Sequence, residues 1–133
     1  MAQAKSCTAK CQSNTMKENK LVDISKQFAV DVVTICANIK ENRKSSVLIN
    51  QLLRSGTSIG ANVHEANYAA SRADFINKLQ IALKECYETD YWLGLFKDTQ
   101  IMSQSEYETL FAKCSKIRVL LISSITTAKD AEQ

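Results

Sequence analysis

Arg54, Ser58, Asn62 and Glu65 recur at steps of four, four and three, a spacing that stacks them on one side of an α-helix. Lys78, Glu85 and Glu88 follow at steps of seven and three, with Trp92 one turn further on. Facing stripes of cations and carboxylates could hold a ligand, meet a partner or keep two helices in register. They could equally be a solvated surface carrying intrahelical pairs such as Lys84 with Glu88. A di-iron centre in a helical bundle requires Glu-x-x-His on two helices. The one histidine, His64, has Ala61 three residues before it, and Glu65 beside it is out of register. That spacing excludes the di-metal reading, and one histidine leaves almost no material for a His-based metal site or a Ser–His or Cys–His pair. Gly56-Thr57-Ser58-Ile59-Gly60 is not followed by Lys-Ser/Thr and lies within a helical pattern, so it is no phosphate loop. No catalytic set, cofactor site or metal site is expected.

Cys7-x-x-x-Cys11 could be half of a zinc site, but no second pair or nearby histidine completes it. Cys36, Cys86 and Cys114 fall on apolar helical faces, where free cysteine acts as a small apolar residue. Five cysteines, an odd number, and no secretion signal point to a reduced, cytoplasmic setting. Tyr87, Tyr91, Trp92 and Phe96 cluster in one stretch. They could stack bases of a single strand, or form core or an oligomer interface, where Trp and Tyr are enriched.

The formal charge of +3 resides in residues 1–20, where Lys5, Lys10, Lys17 and Lys20 stand against Glu18 alone; the remainder is neutral. A neutral folded region argues against a domain-wide phosphate-binding surface. The local candidates for nucleic-acid contact are Arg43, Lys44, Arg54, Arg72 and Lys78, together with the lysine-bearing tail.

The elements that must position these residues are helices. A chain of 133 residues fits one domain. With no proline and three glycines, all inside apolar-periodic segments, it lacks the punctuation of a β fold. No apolar run approaches the ~18 residues that span a bilayer. Four periodic segments are expected, at about 22–42, 46–68, 72–98 and 104–129. The first carries Phe28, Val32, Ile35 and Ile39; the second Leu48, Leu52, Ile59, Val63 and Ala66. The third carries Phe75, Leu79, Ala82, Cys86 and Leu93; the fourth Tyr107, Leu110, Cys114, Ile117, Leu121 and Ile125. Ser71-x-x-Asp74 and Ser103-x-x-Glu106 read as capping boxes that open the last two. Gly56 and Gly60, one turn apart, suggest close helix contact, for which a contact between subunits is one use. The expected fold is all-α, an up-down-up-down four-helix bundle over residues 21–133. Residues 1–20, rich in Ala, Lys, Ser and Gln without an apolar segment, read as a mobile polar, basic tail. Met16 would be a natural start of the chain, making residues 1–15 an upstream extension.

The run Gln51-Leu52-Leu53-Arg54-Ser55-Gly56-Thr57-Ser58-Ile59-Gly60-Ala61-Asn62-Val63-His64-Glu65-Ala66 resembles the signature of the 23S rRNA-intervening-sequence protein family. Ser71-x-x-Asp74-Phe75-Ile76-x-Lys78-Leu79-x-Ile81-Ala82-Leu83-Lys84-Glu85 and Glu88-Thr89-x-Tyr91-Trp92-Leu93 are similar to its second block. The resemblance covers about Leu21 to Ile125, with Gly60 standing where many members have proline. It implies a four-helix bundle in a small bacterial protein that forms ring-shaped homo-oligomers, typically pentamers, with no established enzymatic activity. Arg54, Ser58, Asn62, Glu65, Lys78 and Glu85 match the family motif. A related protein of diversity-generating retroelements is a basic pentameric barrel that binds a reverse transcriptase and nucleic acid; the neutral helical region here departs from it.

The expected function is that of a non-enzymatic homo-oligomeric scaffold or interaction protein. The alternative is an RNA- or DNA-binding accessory protein in which weak basic patches gain avidity by repetition around a ring.

Overall fold

The computed structural model describes the backbone of residues 2–42 and 46–131 and the side chains of residues 19–40 and 46–131. The described backbone forms four helices: α1 (Ala2–Asn42), α2 (Ser46–Ala66), α3 (Arg72–Asp98) and α4 (Gln104–Asp130). Consecutive helices pack together and α1 closes against α4, with no diagonal pairing among the described residues. This is the expected up-down-up-down, all-α bundle. The helix of α1 is described from Ala2, and residues 1–20 contain no proline or glycine to interrupt it. Arg43 and Lys44, and the side chains of Cys7, Cys11 and Met16, lie outside the described residues.

Periodicity explains the core, with shifts of one position. In α2 the buried stripe is Ile49, Leu52, Ser55, Gly56, Ile59, Val63 and Ala66, so Ile49 takes the place expected for Leu48, which faces outward. In α1, Phe28, Val32, Cys36 and Ile39 are buried while Ile35 is half-buried. In α3, Ile76 replaces Phe75 in the interior. Neighbouring apolar residues compete for each inward position, and the rotation that turns both glycines of α2 toward α1 decides between them.

The Gly56 and Gly60 contact lies within one chain. A Cβ on Gly56 would stand 3.0 Å from a methyl of Val32, and one on Gly60 would stand 3.1 Å from the Ser25 carbonyl oxygen of α1. The glycines therefore set the α1–α2 approach, and the inter-subunit role suggested for them falls away. Gly94 differs: a Cβ there meets nothing within 4 Å. Gly94→Ala is expected to stabilise the chain by about 0.5–1 kcal/mol through helix propensity, raising the melting midpoint by roughly 3 °C; thermal unfolding followed at 222 nm checks this.

The two capping signals differ in execution. Ser103 Oγ accepts from the Glu106 amide while Glu106 Oε1 accepts from the Ser103 amide, which completes the box. Ser71 Oγ accepts from the Asp74 amide, yet the Asp74 carboxylate accepts from the Ala70 amide, one residue earlier. Aspartate is one methylene shorter than glutamate, so only the first half of the α3 box forms.

Candidate functional site

The α2–α3 face carries the charged stripes. Arg54, midway along α2, reaches across to α3. Its guanidinium donates to Glu88 and, at 3.5 Å, to Glu85 Oε2. Three turns further along α2, Glu65 pairs with Lys78 at 2.9 Å. The two helices run antiparallel, which brings the C-terminal end of the α2 stripe to the N-terminal end of the α3 stripe.

Ser58 and Asn62, between these pairs, do not cross. Ser58 Oγ donates to the Arg54 carbonyl at 2.6 Å, and Asn62 Nδ2 donates to the Ser58 carbonyl at 2.8 Å. Such bonds to the preceding turn are open to short polar side chains in helices, and the sequence stripe thus divides into two ion-pair groups with self-satisfied residues between. Glu88, a candidate for intrahelical pairing with Lys84, has Arg54 as a partner instead. Arg72 is exposed at the start of α3, and its guanidinium donates to the Ala128 carbonyl of α4 at 3.5 Å.

Beneath the ion pairs lies a contact absent from the sequence reading. Thr89 Oγ1 donates to Ser55 Oγ at 3.1 Å, with both residues fully buried, and Ser55 Oγ donates to the Leu52 carbonyl. The signal for it is the position of Ser55 on the inward stripe beside Leu52 and Ile59. A buried polar pair of this kind penalises sliding of α2 along α3, because displaced hydroxyls would lose their partners.

Burial raises the Glu85 pKa above its ordinary 4.5, Glu88 adds to the rise and Arg54 offsets part of it. Lys78 is raised through its hydrogen bond and attraction to Glu65. An acid whose folded pKa exceeds its unfolded one costs stability above the folded value. That cost disappears as pH falls toward 4.5 and the folded carboxyl takes up its proton first. Glu85→Gln is therefore expected to be at least as stable as the parent at pH 7, with its advantage vanishing near pH 4.5. Paired urea titrations at the two pH values test this; a Glu85→Gln chain weaker at pH 7 would give Arg54 the larger influence.

Two further ion pairs cross the α3–α4 and α1–α4 seams. Arg118 on α4 pairs with Asp90 on α3, both about four-fifths buried, and Lys113 on α4 pairs with Asp31 on α1. Asp90 Oδ1 and Trp92 Nε1 are buried without a hydrogen-bond partner. No group of three or more His, Cys, Asp or Glu among the described residues could hold a metal ion. A cavity of about 510 Å³ lies at the α3–α4 connection, lined by residues including Asn38, Lys97, Gln100 and Glu106. Another, of about 350 Å³, lies at the α2–α3 connection beside Arg72 and Phe75. Arg54, Glu85, Glu88, Glu65 and Lys78 line neither one. Their charges face one another and solvent.

Comparison with known proteins places this arrangement in context. A family model described as 23S rRNA-intervening sequence protein matches residues 17–123. A solved structure from Bacteroides thetaiotaomicron, described as a protein with unknown function from the S23 ribosomal protein family, is 48% identical. Their alignment covers 83% of this chain and 98% of that one, with a TM-score of 0.81. No curated protein matches the chain.

Proposed function

The chain belongs to the 23S rRNA-intervening sequence protein family, and from that premise we propose that it works by assembly and binding rather than by catalysis, as a homo-oligomeric scaffold. The observation that carries this reading is the large apolar surface left to solvent outside the core. Tyr91 is 64% exposed and Val119 63%, with Val30, Val33, Tyr87 and Ile122 also exposed. Exposed apolar side chains repeated along one helix, Val30 with Val33 on α1 and Tyr87 with Tyr91 on α3, are what a protein contact site presents, and tyrosine is enriched at such sites. The charged stripe supports the same reading, since its two cations are held by its three carboxylates. Arg54 and Lys78, candidates for phosphate contact, are both engaged by glutamates. No helix among the described residues is long and apolar enough to cross a membrane.

Light scattering of the purified protein, with and without a short structured RNA and at low and moderate salt, tests the proposal. One oligomeric mass, unchanged by RNA, is expected. A mass increase with RNA that disappears as salt rises, as counterion release requires, would replace the scaffold with a nucleic-acid-binding protein.

A further inference from the structure

The exposed apolar residues form two stripes on different sides of the bundle, and resting on the self-association reading, they define how one copy meets the next. On α1, Asp23, Lys26, Val30, Val33, Ala37 and Lys40 follow at steps of three and four, and all are exposed. On α3, Lys84, Tyr87, Tyr91 and Asp98 follow at steps of three, four and seven, and these are exposed as well. Both have the 3.5-residue repeat of a helix seam. One stripe is small and aliphatic at its centre, while the other is aromatic there.

The cross-helix contacts fix their relative heights. Asp31 pairs with Lys113, which places α1 against α4. The Cys114 thiol donates to the Cys86 carbonyl, and Lys97 Nζ lies 4.8 Å from the Tyr107 ring centre, which places α4 against α3. With a rise of about 1.5 Å per residue, Val30 and Val33 come level with Tyr91, and Lys26 comes level with Tyr87. Asp23 and Lys84 share one end, and Lys40 and Asp98 share the other, each within about 3 Å in height. The α1 stripe therefore starts acidic and ends basic, and the α3 stripe starts basic and ends acidic. In an up-down-up-down bundle α1 and α3 run in the same direction. Set side by side without a vertical shift, they match apolar centre to apolar centre and charge to opposite charge at both ends, and Lys26 meets a tyrosine face.

We infer that copies of this chain assemble through a parallel seam between the outer stripe of α1 on one copy (Asp23, Val30, Val33, Lys40) and the outer stripe of α3 on the next (Lys84, Tyr87, Tyr91, Asp98). Each copy offers α1 on one side and α3 on the other. The contact is thus heterologous, and it propagates until it closes into a ring or continues as a filament. Lys40 Nζ already donates to Asn50 Oδ1 within its own chain, which holds it at the rim of the seam.

Sedimentation velocity on the full chain tests this with Tyr91→Glu and Val33→Glu. Both positions are solvent-facing, so helicity by circular dichroism is expected to be unchanged. Each variant alone is expected to sediment as a monomer. An equal mixture is expected to form a one-to-one dimer and stop there, because each variant keeps the stripe that the other lacks. At low salt, Asp23→Lys is expected to weaken assembly about two- to fivefold, and adding Lys84→Asp is expected to restore it. A monomeric parent chain would overturn the scaffold reading itself. An oligomeric parent whose Tyr91→Glu and Val33→Glu variants also remain oligomeric would overturn only the assigned seam. Monomeric variants that stay monomeric when mixed would overturn the heterologous pairing, and a double charge swap weaker than Asp23→Lys alone would overturn the parallel register.

Discussion

Phe96→Ala is expected to cost about 3–5 kcal/mol, the range for removing a large aromatic side chain from a packed core. Phe96 is fully buried near the C-terminal end of α3, with its ring centre 6.4 Å from that of Trp92. Its carbonyl accepts from the Ile101 amide at 2.9 Å and the Met102 amide at 3.1 Å. These bonds turn the chain from α3 toward α4, a turn in which Gln100 adopts a left-handed φ of 60°. The ring thus anchors both the bundle end and the connection, and a cavity there would leave Met102, itself buried, without part of its packing. Urea denaturation should show a lower midpoint with an unchanged slope. Phe96→Leu, which retains most of the volume, should lose no more than about 1.5 kcal/mol. A loss below about 1 kcal/mol for alanine would show that this end is loosely packed.

Gly60→Val is expected to cost about 2 kcal/mol by overpacking. The obstacle is backbone: the Ser25 carbonyl oxygen at 3.1 Å and its carbon at 3.4 Å from the position of an added Cβ. A side-chain neighbour could rotate away, but this one can move only with α1. Alanine at the same position sets a gain of up to ~1 kcal/mol in helix propensity against that contact, so Gly60→Ala should lie between glycine and valine. Denaturant midpoints for the three chains test the order, and a valine chain as stable as the parent would mean that α1 shifts freely.

These two residues show what the sequence makes legible. Phe96 stands among closely spaced aromatics, and periodicity placed that cluster on a helix without deciding which rings turn inward. The structure buries Phe96 and exposes Tyr91 because α3 has neighbours on only two sides. Gly60 announced a close approach, since glycine is unfavourable in a helix without such a reason, but spacing within one helix cannot name the surface that approaches. The same limit applies to the polar stripe. Steps of three and four grouped Arg54, Ser58, Asn62 and Glu65 correctly on one side of α2. Whether a side chain crosses to α3 depends on its length: Arg54 and Lys78 reach their carboxylates, whereas Ser58 and Asn62 satisfy themselves within a turn. Asp90 with Arg118 and Ser55 with Thr89 join residues 28 and 34 positions apart, separations that carry no local pattern.

The buried cysteines give the bundle an internal clock. Burial pushes the Cys36 thiol up to about 11, with Lys40 opposing the shift. Its hydrogen bond with Cys86 and its burial push Cys114 further still. At neutral pH neither presents the thiolate that alkylating reagents attack, so modification must wait for the helices to part. Cys36 sits in the α1–α2 seam, with its Sγ 4.0 Å from the Ile49 carbonyl oxygen, and Cys114 sits in the α3–α4 seam. Their alkylation rates, followed residue by residue, would time the parting of each half of the bundle separately. Equal rates would mark a molecule that opens all at once, and unequal rates would mark the half that lets go first.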